Sequence, residues 1–95
     1  MKQYYVYILA NKRNGTLYTG ITSDIIRRVW EHKTPSLLSF TSKYKVSRLV
    51  YYEMHNDVME AIKREKNIQS WQRMWKLRLI EEGNPNWDDL YEKII

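Results

Sequence analysis

Cysteine is absent from this sequence, so disulfide bonds and metal sites built on thiolates are excluded. No run of 18 or more apolar residues exists, which is the length that a membrane-spanning helix needs, and the first residues lack the apolar core of a signal peptide. Repeats and low-complexity segments are also missing. These absences are compatible with a reducing cytosol, so we expect a cytoplasmic protein without membrane attachment.

Length and charge limit the remaining possibilities. Ninety-five residues are enough for one domain with a small core, so we expect a single domain over residues 1–95. With a formal net charge of +5 and a sequence pI near 9.5, the chain suits an anionic partner, and nucleic acid is the usual one. Composition alone is equally consistent with a protein that is simply basic.

The clearest local pattern is a β-hairpin near the start of the chain. Two short apolar runs, residues 4–10 and 16–22, flank the step Asn14-Gly15, which is typical of a tight turn of type I′. An even-length loop around this step pairs odd positions of the first strand with even positions of the second. The sequence therefore predicts which side chains share a face.

The two predicted faces of the hairpin differ in character because side chains alternate along a strand. The apolar face, which a helix should cover, carries Val6, Ile8, Leu17 and Ile21. The opposite face carries Tyr5, Tyr7, Tyr18 and Gly20. Since Gly20 has no side chain, we expect that the backbone or phosphate of a ligand can approach closely there.

A helix is predicted directly after the hairpin, with Ser23 or Asp24 as its cap. One apolar stripe is expected at helical spacing, made of Ile25, Ile26, Val29 and Trp30. Arg28 and His32 are four residues apart and lie at the edge of this stripe, whereas Arg27 and Glu31 are expected to point to water. The hairpin and helix would thus present two phenols, an arginine and a histidine on adjoining surfaces.

The rest of the chain is predicted to form a loop, a third strand and further helices. The loop covers residues 33–45, and its cations suit contact with phosphates: Lys33, Lys43 and Lys45. The third strand is expected at residues 46–55 and a second helix from Asn56 or Asp57. A third helix is expected at about residues 71–82, with a core face of Trp71, Met74, Trp75 and Leu79. Trp87 and Leu90 should then pack against the body of the domain.

The second helix holds the most informative residue, Glu65. Its position falls within the apolar face of that helix, whereas Glu60 points to water. An unpaired carboxylate in apolar surroundings ionises only beside a cation or a metal, or else its pKa rises. The alternatives are an internal ion pair with an arginine at the edge of the core, or a helix rotated enough to expose Glu65. Arg64 and Lys66 beside it belong to a basic surface that suits nucleic acid.

Tyr5-Val6-Tyr7 and Tyr18-Thr19-Gly20 resemble the two motifs that name the GIY-YIG nucleases, and the resemblance covers nearly the whole chain. It implies an α/β (α+β) fold, with a small three-stranded β-sheet flanked by helices in the order β-β-α-β-α-α. The closest likeness is to small bacterial proteins that consist of this domain alone. The resemblance also implies a catalytic set of Tyr7, Tyr18, Arg28, His32 and Glu65, in which Glu65 binds the metal.

The departures from the family pattern concern the surroundings of these residues. Tyr5 stands in place of glycine in the first motif, and Thr19 in place of isoleucine in the second. Some family members carry a lysine just after the second motif that tunes the tyrosine, but Ile21 and Thr22 stand there in this chain. Neither the residues nor the resemblance decides whether Tyr7 or Tyr18 accepts the proton of the attacking water.

The resemblance favours a Mg²⁺- or Mn²⁺-dependent endonuclease that hydrolyses phosphodiester bonds in DNA, with structure-specific action in repair or recombination as one form. RNA is an alternative substrate, and the specificity of cleavage would be weak or supplied by a partner protein. A non-catalytic nucleic-acid-binding module on the same scaffold is the main alternative, and a small interaction domain without nucleic acid is a third.

Overall fold

The computed structural model describes residues 2–34 and 44–95. Three strands, β1 (Tyr4–Ala10), β2 (Leu17–Thr22) and β3 (Arg48–His55), form one sheet. The helices are α1 (Ile25–Lys33), α2 (Val58–Ser70), α3 (Arg73–Gly83) and the short α4 (Tyr91–Ile94). The predicted α+β class and element order are thereby confirmed. No helix in the described part of the chain is both long and apolar enough to cross a membrane.

The sheet is antiparallel throughout, with β1 between β2 and β3. Odd residues of β1 pair with even residues of β2, as the loop length predicts; Tyr7 faces Gly20 and Leu9 faces Tyr18. The turn itself differs from the predicted type I′, because Asn14 has a positive φ of 58° and Gly15 does not. A bond of 3.0 Å from the Gly15 amide to the Lys12 carbonyl closes the turn.

The alternation of side chains divides the core between the two faces of the sheet. On one face, α2 and α3 cover the sheet, and the cluster includes Val6, Ile8, Ala61, Ile68 and Ile80. On the other face, α1 packs through Ile25 and Val29 against Tyr7 and Leu9. Each face of the predicted hairpin thus carries the side chains expected, but a helix covers both faces and not only the apolar one.

Helix α1 begins where the sequence indicates, because the side chain of Asp24 accepts a hydrogen bond of 3.2 Å from the Arg27 amide. Its predicted apolar stripe is only half correct. Ile25 and Val29 are buried, but Ile26 is 44% and Trp30 is 54% exposed. The helix is rotated so that His32, and not Trp30, joins Ile25 and Val29 under the sheet, because the aromatic residues of the hairpin offer His32 partners there.

The predicted core face of the third helix is wrong at two positions. Helix α3 starts at Arg73, and both Met74 and Trp75 are more than half exposed. Ile80 is the residue of this helix that is fully buried. Trp87 fills the neighbouring core as predicted, and its indole nitrogen donates to Glu81 at 2.8 Å. A short helix cannot bury aromatic residues on every side, so the contact with β3 decides which side faces inward.

Candidate active site

Three aromatic rings from three elements meet on the α1 face of the sheet. Tyr7 of β1 is fully buried, and its hydroxyl lies 3.0 Å from Nε2 of His32 in α1. The ring of Tyr18, from β2, lies 5.1 Å from the His32 ring and 6.3 Å from the Tyr7 ring, centroid to centroid. The hairpin and α1 therefore bring together residues that are up to 25 positions apart in the sequence.

Gly20 is the position that allows Tyr7 to lie where it does. A Cβ atom at residue 20 would stand 2.6 Å from both Cζ and Oη of Tyr7, closer than real Cβ contacts allow. Our expectation that a ligand approaches the bare backbone of Gly20 is therefore wrong. The space beside Gly20 is filled by the phenol of its cross-strand partner.

Arg28 completes the cluster and is held from two sides. Its guanidinium acts on the Tyr7 hydroxyl, and Nη1 lies 3.2 Å from Oε1 of Glu31. The other oxygen of Glu31 lies 3.3 Å from Nε of Arg27. Glu31 was predicted to face water, but it is partly buried and joins both arginines. Position alone could have revealed this, since Glu31 lies three and four residues after the arginines, at the spacing of helical ion pairs.

Burial shifts the protonation equilibria of this cluster. The pKa of Tyr7 is raised well above its ordinary value, mainly by burial and further by Tyr18, although Arg28 opposes the shift. The pKa of His32 is lowered to about 4, first by burial and then by the positive charge of Arg28. At neutral pH Tyr7 is therefore a neutral phenol and His32 a neutral imidazole.

The Tyr7 hydroxyl and Nε2 of His32 share one hydrogen bond of 3.0 Å, and the positive charge of Arg28 acts on the same hydroxyl. Tyr7 thus interacts with both Arg28 and His32 inside the domain, whereas Tyr18 is half-buried and reaches the surface.

A polar cleft of about 450 Å³ lies at the start of α1, and Arg28 is the member of the cluster that lines it. Arg28 and Glu31 line the cleft, together with the end of β2 and the cap of the helix: Ile21, Thr22, Ser23, Asp24 and Arg27. The Arg28 side chain is 41% exposed, so its guanidinium can reach both Tyr7 and a molecule in the cleft. A site of this kind suits an anion with oxygen acceptors, such as a phosphate.

Glu65 lies on α2 and is half-buried, as its place on the helical face predicts. The Glu65 carboxylate accepts a hydrogen bond from the side-chain amide of Gln69, which also donates to the Thr19 carbonyl at 3.3 Å. Glu65 is thereby connected to β2 at the residue that separates Tyr18 from Gly20. Helix α2 itself covers the face of the sheet opposite the Tyr7 cluster, so the link to Glu65 runs through the edge strand β2.

Glu65 offers a carboxylate, the kind of oxygen ligand that a hard divalent cation prefers. Within residues 2–34 and 44–95, no three side chains of His, Asp or Glu converge to form a metal cage. The arginine next in sequence, Arg64, makes its ion pair with Glu53 at 3.0 Å and not with Glu65. Among residues 2–34 and 44–95 no arginine forms an ion pair with Glu65, so the predicted alternative of an internal ion pair is not found there. Mg²⁺ commonly binds through one or two carboxylates and several waters, so Glu65 alone can be the protein ligand.

The residues predicted to contact nucleic acid differ in how exposed they are and in whether they have partners within the domain. Lys45 and Lys66 are exposed, whereas Lys43 lies outside the described residues. Lys33 donates to the Ser47 carbonyl at 2.9 Å and pairs with Asp89 at 2.5 Å, so this cation holds the chain after α1 to the C-terminal segment. For all these residues, contact with nucleic acid stays a prediction.

Arg64 also has an internal role, in a network on the α2 face of β3 that the sequence did not reveal. Glu53 accepts hydrogen bonds from Tyr51, His55 and Arg64. Burial alone would raise the pKa of Glu53, but these three donors hold it below its ordinary value. The Arg64 guanidinium also lies 5.1 Å above the ring of Trp71. This network ties α2 to the sheet, and the alternation of Tyr51, Glu53 and His55 was the signal for it.

Comparisons with known proteins identify the class to which this fold and cluster belong. The model of the GIY-YIG catalytic domain matches residues 3–78, so the chain belongs to the GIY-YIG nuclease family. A UPF0213 protein of Staphylococcus saprophyticus is 40% identical over 83 residues, which are 87% of this chain and all of that protein. A UPF0213 protein of Staphylococcus aureus is 39% identical over 82 residues, 86% of this chain and 99% of that protein.

A solved structure supports the same relationship. The solution NMR structure of a UPF0213 protein from Bacillus halodurans is similar to this chain, with a TM-score of 0.57 and 28% sequence identity. The similarity covers 92% of each chain. The family resemblance stated from the two short motifs is thereby confirmed.

Proposed function

We propose that this protein is a metal-dependent endonuclease that hydrolyses phosphodiester bonds in DNA. The observation that carries the proposal is the convergence of Tyr7, Tyr18, Arg28 and His32 beside a polar cleft, in a chain of the GIY-YIG family. A phosphodiester is anionic and repels hydroxide. A catalyst must therefore neutralise charge, activate water and help the leaving oxygen to depart.

Arg28 is the residue that binds the scissile phosphate in this proposal. Its guanidinium lines the cleft, and the Arg28 side chain remains 41% exposed although the ion pair with Glu31 holds it in place. A planar fork of donors matches two phosphate oxygens and stabilises the charge that develops during attack. A preorganised arginine of this kind needs little rearrangement when substrate arrives.

The two tyrosines have different roles in this proposal. Tyr7 is fully buried and its pKa is raised, so it is a poor proton acceptor and instead positions Arg28 and His32. Tyr18 is half-buried at the edge of the same cluster, where a water molecule can reach it. We therefore assign the proton-accepting role to Tyr18, with His32 as the neighbour that orients its ring.

The proposed metal ligand is Glu65, with Mg²⁺ or Mn²⁺ as the ion. When bound, such an ion would neutralise phosphate charge and stabilise the leaving oxygen. The positive net charge supports an anionic substrate, with DNA favoured over RNA by the family. Cleavage of nicked or branched DNA, as in repair or recombination, and dependence on a partner protein for specificity are further parts of the proposal.

The proposal is tested by cleavage of duplex, nicked and branched DNA in the presence of Mg²⁺ or Mn²⁺. Arg28→Ala, Tyr18→Phe and Glu65→Gln should each lower the rate, with a loss of about 10²–10³-fold for Arg28→Ala. Glu60→Gln makes the same chemical change as Glu65→Gln on an exposed turn of the same helix and should leave the rate unchanged.

Two results would contradict the proposal. Equal activity of the wild type and all three variants would identify a contaminating nuclease. Binding of DNA with a steep dependence on salt, but without cleavage, would instead favour the non-catalytic nucleic-acid-binding module.

A further inference from the structure

The side-chain amide of Gln69 joins two parts of the chain that are 50 residues apart. Its nitrogen donates to the Glu65 carboxylate one helical turn earlier and to the Thr19 carbonyl of β2. An amide nitrogen carries two hydrogens, so both donors are used by these two acceptors. The contact is therefore a bridge between the helix that carries Glu65 and the strand that carries Tyr18.

The carbonyl of Thr19 is available for this bridge because of the sheet register. Among the strands of the described residues, β2 pairs with β1 alone and so has an open edge. The Asn11 amide bonds the Thr16 carbonyl at 3.3 Å, and hydrogen-bonded pairs alternate along an antiparallel ladder. Leu9 and Tyr18 are then a pair joined by backbone hydrogen bonds. The carbonyl of Thr19, at the next position, points away from β1 and outward from the free edge of β2. Gln69 reaches it there.

We propose that Gln69 is a positioning residue, which fixes the Glu65 carboxylate at the edge of β2 and so sets the affinity of Glu65 for a divalent cation. The inference rests on the proposed function, because it concerns the same site. The amide of Gln69 donates a hydrogen bond to one oxygen of the Glu65 carboxylate, and this bond also fixes the orientation of the second oxygen. Partners that orient a ligating carboxylate commonly change metal affinity by about 10–100-fold when they are removed.

A purely structural role would look different. Gln69 also covers the open edge of β2, and this protection would help folding without any effect on a cation. The two roles are separated by measuring cation binding directly, in a variant whose fold is intact. Gln69→Met keeps the length of the side chain and its helical preference but removes both donors.

The experiment is a titration of the metal-free full chain with Mn²⁺, followed by paramagnetic broadening of the backbone amide signals of Thr19 and Gly20. Gln69→Met should weaken Mn²⁺ binding by about tenfold or more, and Gln69→Asn, which keeps the amide but shortens its reach, should do the same. Gln72→Met is the matched control, because Gln72 is exposed and makes no cap hydrogen bond with its side chain. Glu65→Ala should abolish the broadening.

The outcomes separate this inference from the proposed function. If Glu65→Ala abolishes the broadening but both Gln69 variants bind Mn²⁺ within twofold of the wild type, Gln69 only covers the strand edge. The inference is then overturned, while the metal role of Glu65 stands. If the wild type itself shows no broadening near Thr19, the metal site and the inference are both overturned. A fall in kcat with an unchanged KM for DNA in Gln69→Met would support the positioning role further.

Discussion

Replacing Gly20 by alanine tests whether the cluster depends on a missing side chain. The added Cβ would lie 2.6 Å from Cζ and Oη of Tyr7. The Tyr7 ring is rigid, fully buried and surrounded by Tyr18 and His32, so it cannot move aside without breaking its hydrogen bond to His32. We therefore expect Gly20→Ala to destabilise the fold and to displace Tyr7 from its partners.

The magnitude follows from two opposing effects. Overpacking of a well-filled core costs about 1–3 kcal/mol. Alanine also stiffens the unfolded chain, which returns about 0.4–1 kcal/mol. The net loss in the free energy of unfolding is then roughly 0–2.6 kcal/mol, and the melting temperature should fall by about 4–8 °C for each kcal/mol in a domain of this size.

Gly83→Ala is the control for this experiment, because a Cβ at that position meets nothing within 4 Å and its φ is not positive. It should leave the protein as stable or raise the free energy of unfolding by about 0.4–1 kcal/mol. Urea unfolding and thermal melting of the wild type and both variants give the comparison. Equal stability of Gly20→Ala and Gly83→Ala would refute the close approach of Tyr7 to residue 20.

Three further predictions concern single side chains. Lys33→Met should lower the free energy of unfolding by about 1–2 kcal/mol in urea unfolding, because the Ser47 carbonyl and the Asp89 carboxylate lose a charged donor. The control Lys66→Met should change it by less than about 0.5 kcal/mol. Equal effects of the two substitutions would show that the Lys33 contacts contribute nothing to stability. His32 has a folded pKa of about 4, below its unfolded value, so its stabilising contribution is complete above about pH 6.5 and is lost as the pH falls towards 4. The loss should be about 3 kcal/mol, measured as the difference in pH dependence between the wild type and His32→Gln, and identical pH profiles would contradict it. Glu31→Gln should lower the pKa of His32 and Arg28→Gln should raise it, since the carboxylate and the guanidinium act on the imidazole with opposite signs; NMR titration of the ring would reject this if both shifts had the same direction.

Much of the fold could be predicted because the signals are local. The alternation around Asn14-Gly15 predicted that odd residues of β1 pair with even residues of β2 and that Tyr7 and Gly20 share a face, and Asp24 and Asp57 cap their helices as their positions indicate. The amphipathic helices were less predictable. Trp75 is exposed although its spacing is typical of a core position, because a helical pattern shows that a stripe exists but not how the neighbouring sheet orients it.

The candidate site was predictable in its members but not in their functions. The two motifs and the helix spacing located Tyr7, Tyr18, Arg28 and His32, which the structure brings together. The difference between the two phenols was not predictable, since both have the same chemistry in the sequence. Burial distinguishes them, and burial depends on residues from three elements.

The sequence by itself determined the odd-with-even pairing of the hairpin strands, the helix caps and the family, because each depends on residues that are close together in the chain or on motifs of fixed spacing. Only the tertiary structure decided that the phenol of Tyr7 fills the space beside Gly20 and that Gln69 links Glu65 to β2. Such contacts depend on which faces of the sheet and helices meet. That choice is made by the packing of the whole domain, and no short stretch of sequence contains it.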